Sequence, residues 1–145
     1  MNNAQNRWLA APSLAIFAVS VVVACGDSGV VTGAACDAPS DCYPDADPAK
    51  IAGTVTCLDR VPDGYCTHTC TTDADCCKVD GECPDGRPEV CSPLESTGDY
   101  YCFVSCEKAD LGGADEGAYC HDYAGPDFGC RSTGGGSDNR KVCLP

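Results

Sequence analysis

The sequence predicts a small disulfide-rich fold of short β-hairpins and loops, with little helix and tandem cysteine-rich units that lack a large core. Three observations predict it. Of the 145 residues, 15 are cysteine, a density typical of chains that are stapled rather than packed. Aromatic residues make up only 7%, and beyond residue 24 few Leu, Ile, Val or Phe residues remain to be buried. Crosslinks must then replace a core, each contributing about 2–4 kcal/mol by restricting the unfolded chain. Finally, no stretch beyond residue 24 sustains an apolar period of about 3.6, while short β-prone runs alternate with turn residues.

In chain order, residues 1–7 are polar and carry one cation, Arg7, and Trp8 to Ala24 is apolar except for Pro12, Ser13 and Ser20. Crossing a bilayer takes about 20 apolar residues. This run is shorter, holds a proline and ends in small residues, so residues 1–24 are expected to be a cleaved signal peptide. The segment Val22-Val23-Ala24-Cys25-Gly26 resembles the lipobox of bacterial lipoproteins. That resemblance implies a diacylglycerol on the Cys25 sulfur and an acylated new amino terminus, and two or more chains suffice for stable anchoring. The membrane is then a partner through the anchor. Gly26 offers no inner-membrane retention signal, which by the same resemblance implies the outer membrane. Cysteine parity agrees, because an odd thiol in an oxidising compartment needs an explanation, and assigning Cys25 to lipid leaves an even number.

Residues 25–35 are read as a lipidated tether, and beyond them the cysteine spacing repeats. Cys36, Cys42 and Cys57 recur 34 residues on as Cys70, Cys76 and Cys91, and Cys66 recurs as Cys102. Ser40-Asp41-Cys42 matches Ala74-Asp75-Cys76, and Tyr65-Cys66-Thr67-His68-Thr69-Cys70 matches Tyr101-Cys102-Phe103-Val104-Ser105-Cys106. A looser third copy reads Cys106, Cys120, Cys130 and Cys143. The units are 36–69, 70–105 and 106–145, with Cys77 and Cys83 an extra pair inside the second. The sequence does not choose among the connectivities within a unit. The preferred order is first-to-third and second-to-fourth, which pairs Cys36 with Cys57, Cys42 with Cys66, Cys70 with Cys91, Cys76 with Cys102, Cys106 with Cys130 and Cys120 with Cys143. Cys77 and Cys83 would close a loop around Lys78-Val79-Asp80-Gly81-Glu82. Residues 53–58 and 65–69, joined through Val61-Pro62-Asp63-Gly64, read as a β-hairpin. Residues 89–91 and 99–104 read as its counterpart around Ser96-Thr97-Gly98. One helical turn is expected near Glu107 to Leu111, and a mobile loop at Gly134-Gly135-Gly136-Ser137.

This pattern resembles the tandem cysteine-rich modules of exported lipoproteins frequent in myxobacteria and their relatives. The residues that carry it are the lipobox, Cys70-Thr71-Thr72-Asp73-Ala74-Asp75-Cys76, the two Tyr-Cys-x-x-x-Cys segments and the closing Val142-Cys143-Leu144-Pro145. The resemblance implies an architecture and an address, and no catalytic residue. Residues 73–77 distantly resemble the whey acidic protein core, which implies a secreted-protease inhibitor, although the spacing departs from that family. The Cys-x-x-Asp-x-Asp-Cys spacing resembles the amino-terminal domain of Dickkopf proteins, which implies binding.

A formal net charge of −13, one unit more negative without Arg7, excludes nucleic acid as a partner. Calcium is a possible cofactor, since it takes six to eight oxygens and Asp45, Asp47, Asp73, Asp75, Asp80 and Glu82 are spaced carboxylates. No twelve-residue EF-hand loop is present, however, and aspartates before cysteines also cap turns. Of the two histidines, His68 lies between Cys66 and Cys70. That trio could hold zinc, but in an oxidising compartment the cysteines are expected to be bridged. No Cys-x-x-Cys and no Gly-x-Ser-x-Gly occurs, so no enzyme is expected. The predicted function is that of a lipid-anchored, extracytoplasmic disulfide-rich lipoprotein acting as a binding, adhesive or envelope-structural module toward an unidentified protein or glycan. A calcium-dependent binding module and a secreted-protease inhibitor are the alternatives.

Overall fold

The computed structural model describes residues 31–83, 87–95 and 98–145. The expected signal peptide, Cys25 and the first part of the expected tether lie outside the described residues, as do Ser96 and Thr97 of the expected second turn. Among the described residues the strands form three separate two-stranded antiparallel sheets, β1 (Val55–Cys57) with β2 (Cys66–His68), β3 (Glu89–Pro93) with β4 (Tyr100–Val104), and β5 (Gly129–Ser132) with β6 (Lys141–Leu144). The first hairpin turns through Asp63 and Gly64, both left-handed at φ 62° and 72°. A Cβ on Gly64 would collide with the Cys36 carbonyl, so only glycine lets the two segments meet there.

Register explains the disulfides. Cys57 faces Cys66, Cys91 faces Cys102 and Cys130 faces Cys143 across their ladders. Residues directly opposite in an antiparallel pair project to the same face. Both cysteines of each hairpin therefore reach the segment lying on that face. The bonds formed are Cys36–Cys57, Cys42–Cys66, Cys70–Cys91, Cys76–Cys102, Cys106–Cys130 and Cys120–Cys143, with Cys77–Cys83 beside them. Adjacent Cys76 and Cys77 thus take different partners. Seven disulfides in a chain of this size indicate an oxidising, extracytoplasmic location.

The hairpins join by one repeated contact. Thr69 bridges to Tyr101 and Ser105 to Val142, in each case the residue before a unit's first cysteine meeting the one before its fourth. Their shared apolar cluster draws on all three hairpins: Leu58, Val61, Tyr65, Val90, Leu94, Phe103, Val142 and Leu144. Tyr65 sits at its centre. Its ring lies 5.4 Å from Phe103 and 6.1 Å from Phe128, and its hydroxyl accepts from the Val104 amide at 3.3 Å.

Two local expectations are corrected. Residues 107–111 form a turn, closed by Asp110 N donating to Glu107 O, and the helix lies later, at α1 (Glu116–Tyr123). Asp115 is its N-cap and accepts from the Gly117 and Ala118 amides, while left-handed Gly112 and Gly113 end the earlier turn. The tether becomes part of the folded body from Val31 on. Thr32 is buried, Gly33 N donates to Cys66 O, and Ala34 O accepts from Cys66 N. Residues 134–137 are tied to the third hairpin by Asn139, whose Oδ1 accepts from Gly134 N at 3.1 Å.

Candidate functional site

The most regular polar feature is a five-residue loop between cysteines that occurs three times. In Cys36–Cys42, Cys70–Cys76 and Cys77–Cys83, five residues separate two cysteines and the last of the five is acidic. In each copy that acid folds back onto the start of its own loop. Asp41 accepts from the Asp37 and Ala38 amides. Asp75 accepts from the Thr71 and Thr72 amides and the Thr71 hydroxyl, and Glu82 accepts from the Lys78 and Val79 amides. The threonine bonds hold the Asp75 carboxyl down at about 2. The first two loops send their cysteines to a hairpin, whereas in the third the cysteines close on each other.

The third loop differs in burial as well. Glu82 is wholly buried, and its Oε1 lies 2.5 Å from Nε2 of His68, also wholly buried. The opposite ring nitrogen of His68 donates to Thr69 O at 3.0 Å. A second buried pair lies nearby. Arg87 donates to Tyr123 O and Thr32 O, both at 2.8 Å, and its Nε is 3.7 Å from the buried Glu89 carboxylate. Burial pushes the Glu89 carboxyl up to about 8, against the pull of Arg87. Tyr43 closes the group: its hydroxyl shares a 2.7 Å hydrogen bond with the Thr32 hydroxyl, and its ring packs edge-on to His68. Desolvation holds the Tyr43 hydroxyl well above the usual tyrosine range. This interior polar cluster ties the segment before the first unit to all three units. Sequence reasoning missed it, except for Glu82 and His68, which it took for candidate metal ligands.

The candidate ligands are dispersed. Cys66 and Cys70 are bridged to Cys42 and Cys91, so neither presents a thiolate beside His68 for zinc. Asp45, Asp47 and Asp80 line one open depression, together with Lys50 and Lys78, and Lys50 pairs with Asp47 at 3.4 Å. Asp73 and Asp75 belong to the separate second loop. There Asp73 accepts from the Cys91 amide and meets Arg140, which also holds Glu107 in a two-pronged contact of 2.6 and 2.8 Å. That contact holds the Glu107 carboxyl below its ordinary range. Between the first two hairpins a further depression of about 180 Å³ is lined by Thr56, Leu58, Arg60, Leu94, Asp99 and Tyr101, among others. Tyr123, 41% exposed, is the one large apolar side chain exposed among the described residues. The chain matches no family model, no curated protein and no solved structure.

Proposed function

We propose that this protein is an exported, lipid-anchored binding module of a bacterial envelope, which works by surface contact. The observation that carries the reading is the division of its polar groups. The buried ionisable side chains, Glu82, Arg87, Glu89 and His68, are turned inward into pairs that join the units. What faces solvent is an acidic, cross-linked surface held in register by three hairpins. A fixed surface of this kind binds without ordering flexible segments, so it loses little conformational entropy on contact. The lipobox of residues 22–26 and the cysteine parity support the anchor.

Two measurements test it. The intact mass of natively expressed protein should begin at Cys25 with acyl chains, and its other cysteines should alkylate only after reduction. A mass without acyl groups would remove the anchor from the proposal. The same preparation, probed on a glycan array and against purified peptidoglycan, should bind in the oxidised form and lose binding once reduced. Equal binding by both forms would refute a role for the cross-linked surface, and absence of binding to either probe would refute the glycan-binding form of the proposal.

A further inference from the structure

Six of the disulfides tie a loop or the helical segment to a hairpin strand, and each contains at least one buried cysteine. Cys77–Cys83 breaks that plan. It spans a sequence separation of only 6 and joins no strand. Cys77 is exposed and Cys83 half-buried, and both line an open depression with Lys78 and Arg87. A carboxylate oxygen of Glu89 lies within 4.8 Å of both sulfurs. The Glu89 side chain is buried and faces Arg87 Nε at 3.7 Å.

We propose that Cys77–Cys83 is an exchangeable disulfide, a site of covalent exchange with dithiol reductants inside a frame of six inert bridges. Two physical reasons converge. Exchange needs a thiolate to reach a sulfur along the S–S axis, and Cys77 is the one exposed cysteine among the described residues. A short loop constrains the unfolded chain least, so opening it sacrifices the least stability.

The step balances. A reductant thiolate attacks Cys77 Sγ, the S–S bond breaks, and Cys83 leaves as a thiolate that takes up a proton. The second thiol of the reductant then displaces Cys77 from the mixed disulfide. The protein gains two thiols and the reductant departs as its own disulfide.

The test uses the whole purified chain in dithiothreitol buffers of increasing reducing strength, quenched with N-ethylmaleimide and mapped by peptide mass. Label should appear on Cys77 and Cys83 together, at a reductant concentration at least about tenfold below that which labels any other pair, with near-ultraviolet dichroism retained. Simultaneous labelling of all bridges, or first labelling elsewhere, would overturn the proposal. A Cys77→Ser/Cys83→Ser variant should lose the early label and keep the later ones; an early label that persists would also overturn it.

Discussion

Replacing Glu82 by leucine removes one side chain and leaves three groups without a partner. The Lys78 and Val79 amides, which donate to it at 2.8 and 3.0 Å, lose their acceptor. His68 Nε2, 2.5 Å away and wholly buried, loses its counter-group. Breaking a buried pair from one side costs about 3–5 kcal/mol, because the abandoned partner stays desolvated. For a domain of this size that is a fall in melting temperature of about 15 °C or more. Glu82→Gln should behave differently. Its carbonyl oxygen can take both amides. Its amide can donate to Nε2 of a neutral histidine, whose other nitrogen already donates to Thr69 O, so a loss of about 1 kcal/mol is expected. The double variant His68→Leu/Glu82→Met should recover most of the stability lost by Glu82→Leu, since apolar side chains of similar volume replace buried pairs at little cost. The assay is thermal unfolding of the oxidised chain followed by near-ultraviolet dichroism. Equal melting temperatures for Glu82→Leu and Glu82→Gln, or no recovery in the double variant, would refute the claim that unpaired burial sets the cost.

Glu89 sets a pH dependence. Its carboxyl is raised from 4.5 to about 8, so the native state keeps a proton that the unfolded chain releases. The stability it contributes is complete below about pH 4.5 and is lost as pH rises toward 8. Glu89→Gln should therefore match the parent near pH 5 and melt higher than it above pH 8, and parallel melting curves at both would refute the assignment. Phe103→Ala, at a wholly buried ring touching Tyr65, should cost about 3–5 kcal/mol in the same melting assay, and a loss below about 1 kcal/mol would mean the shared cluster is not a packed core. Millimolar calcium should leave the melting temperature unchanged, because Lys50 and Lys78 occupy the depression where Asp45, Asp47 and Asp80 meet; a rise reversed by chelator would contradict this.

The first two hairpins were legible because β-branched and aromatic residues flank turn residues at Asp63-Gly64 and near Gly98, a local signal. The connectivity was not legible in the same way. Several pairings satisfy the spacing, and the ladder that sets Cys57 beside Cys66 and turns both toward one loop forms only in the folded chain. Helix α1 escaped notice because only Tyr119 and Cys120 of its residues are buried, too few to write a period into the sequence. Its fixed points are the Asp115 cap and the Cys120–Cys143 bond. The third acidic loop did leave a signal, since Cys77 to Cys83 has the spacing of Cys36 to Cys42 and of Cys70 to Cys76, with an acid before the second cysteine in all three. Treating it as an extra pair concealed the likeness. Buried charge left none, because nothing local in the sequence marks His68, Glu82, Arg87 and Glu89 for burial before the units pack together.

The location of those charges has a physical logic. Hairpins built to one plan present similar apolar faces, and hydrophobic burial alone is non-directional, so it distinguishes poorly between correct and shifted docking of one unit on the next. Each buried pair or hydrogen bond joins different parts of the chain. His68 of the first unit meets Glu82 of the second, and Arg87 of the second reaches Thr32 before the first and Tyr123 in the third. Misdocking would strand these groups without partners at a cost of several kcal/mol each, about the size of a domain's whole stability. The cluster therefore acts on the choice of arrangement more than on its depth. The His68→Leu/Glu82→Met variant isolates that effect, because its melting temperature recovers while its selectivity does not. After reduction and reoxidation it should yield more scrambled disulfides than the parent, measured by peptide mapping, and an unchanged pattern would leave the choice of docking to the ladder bridges at Thr69 and Ser105.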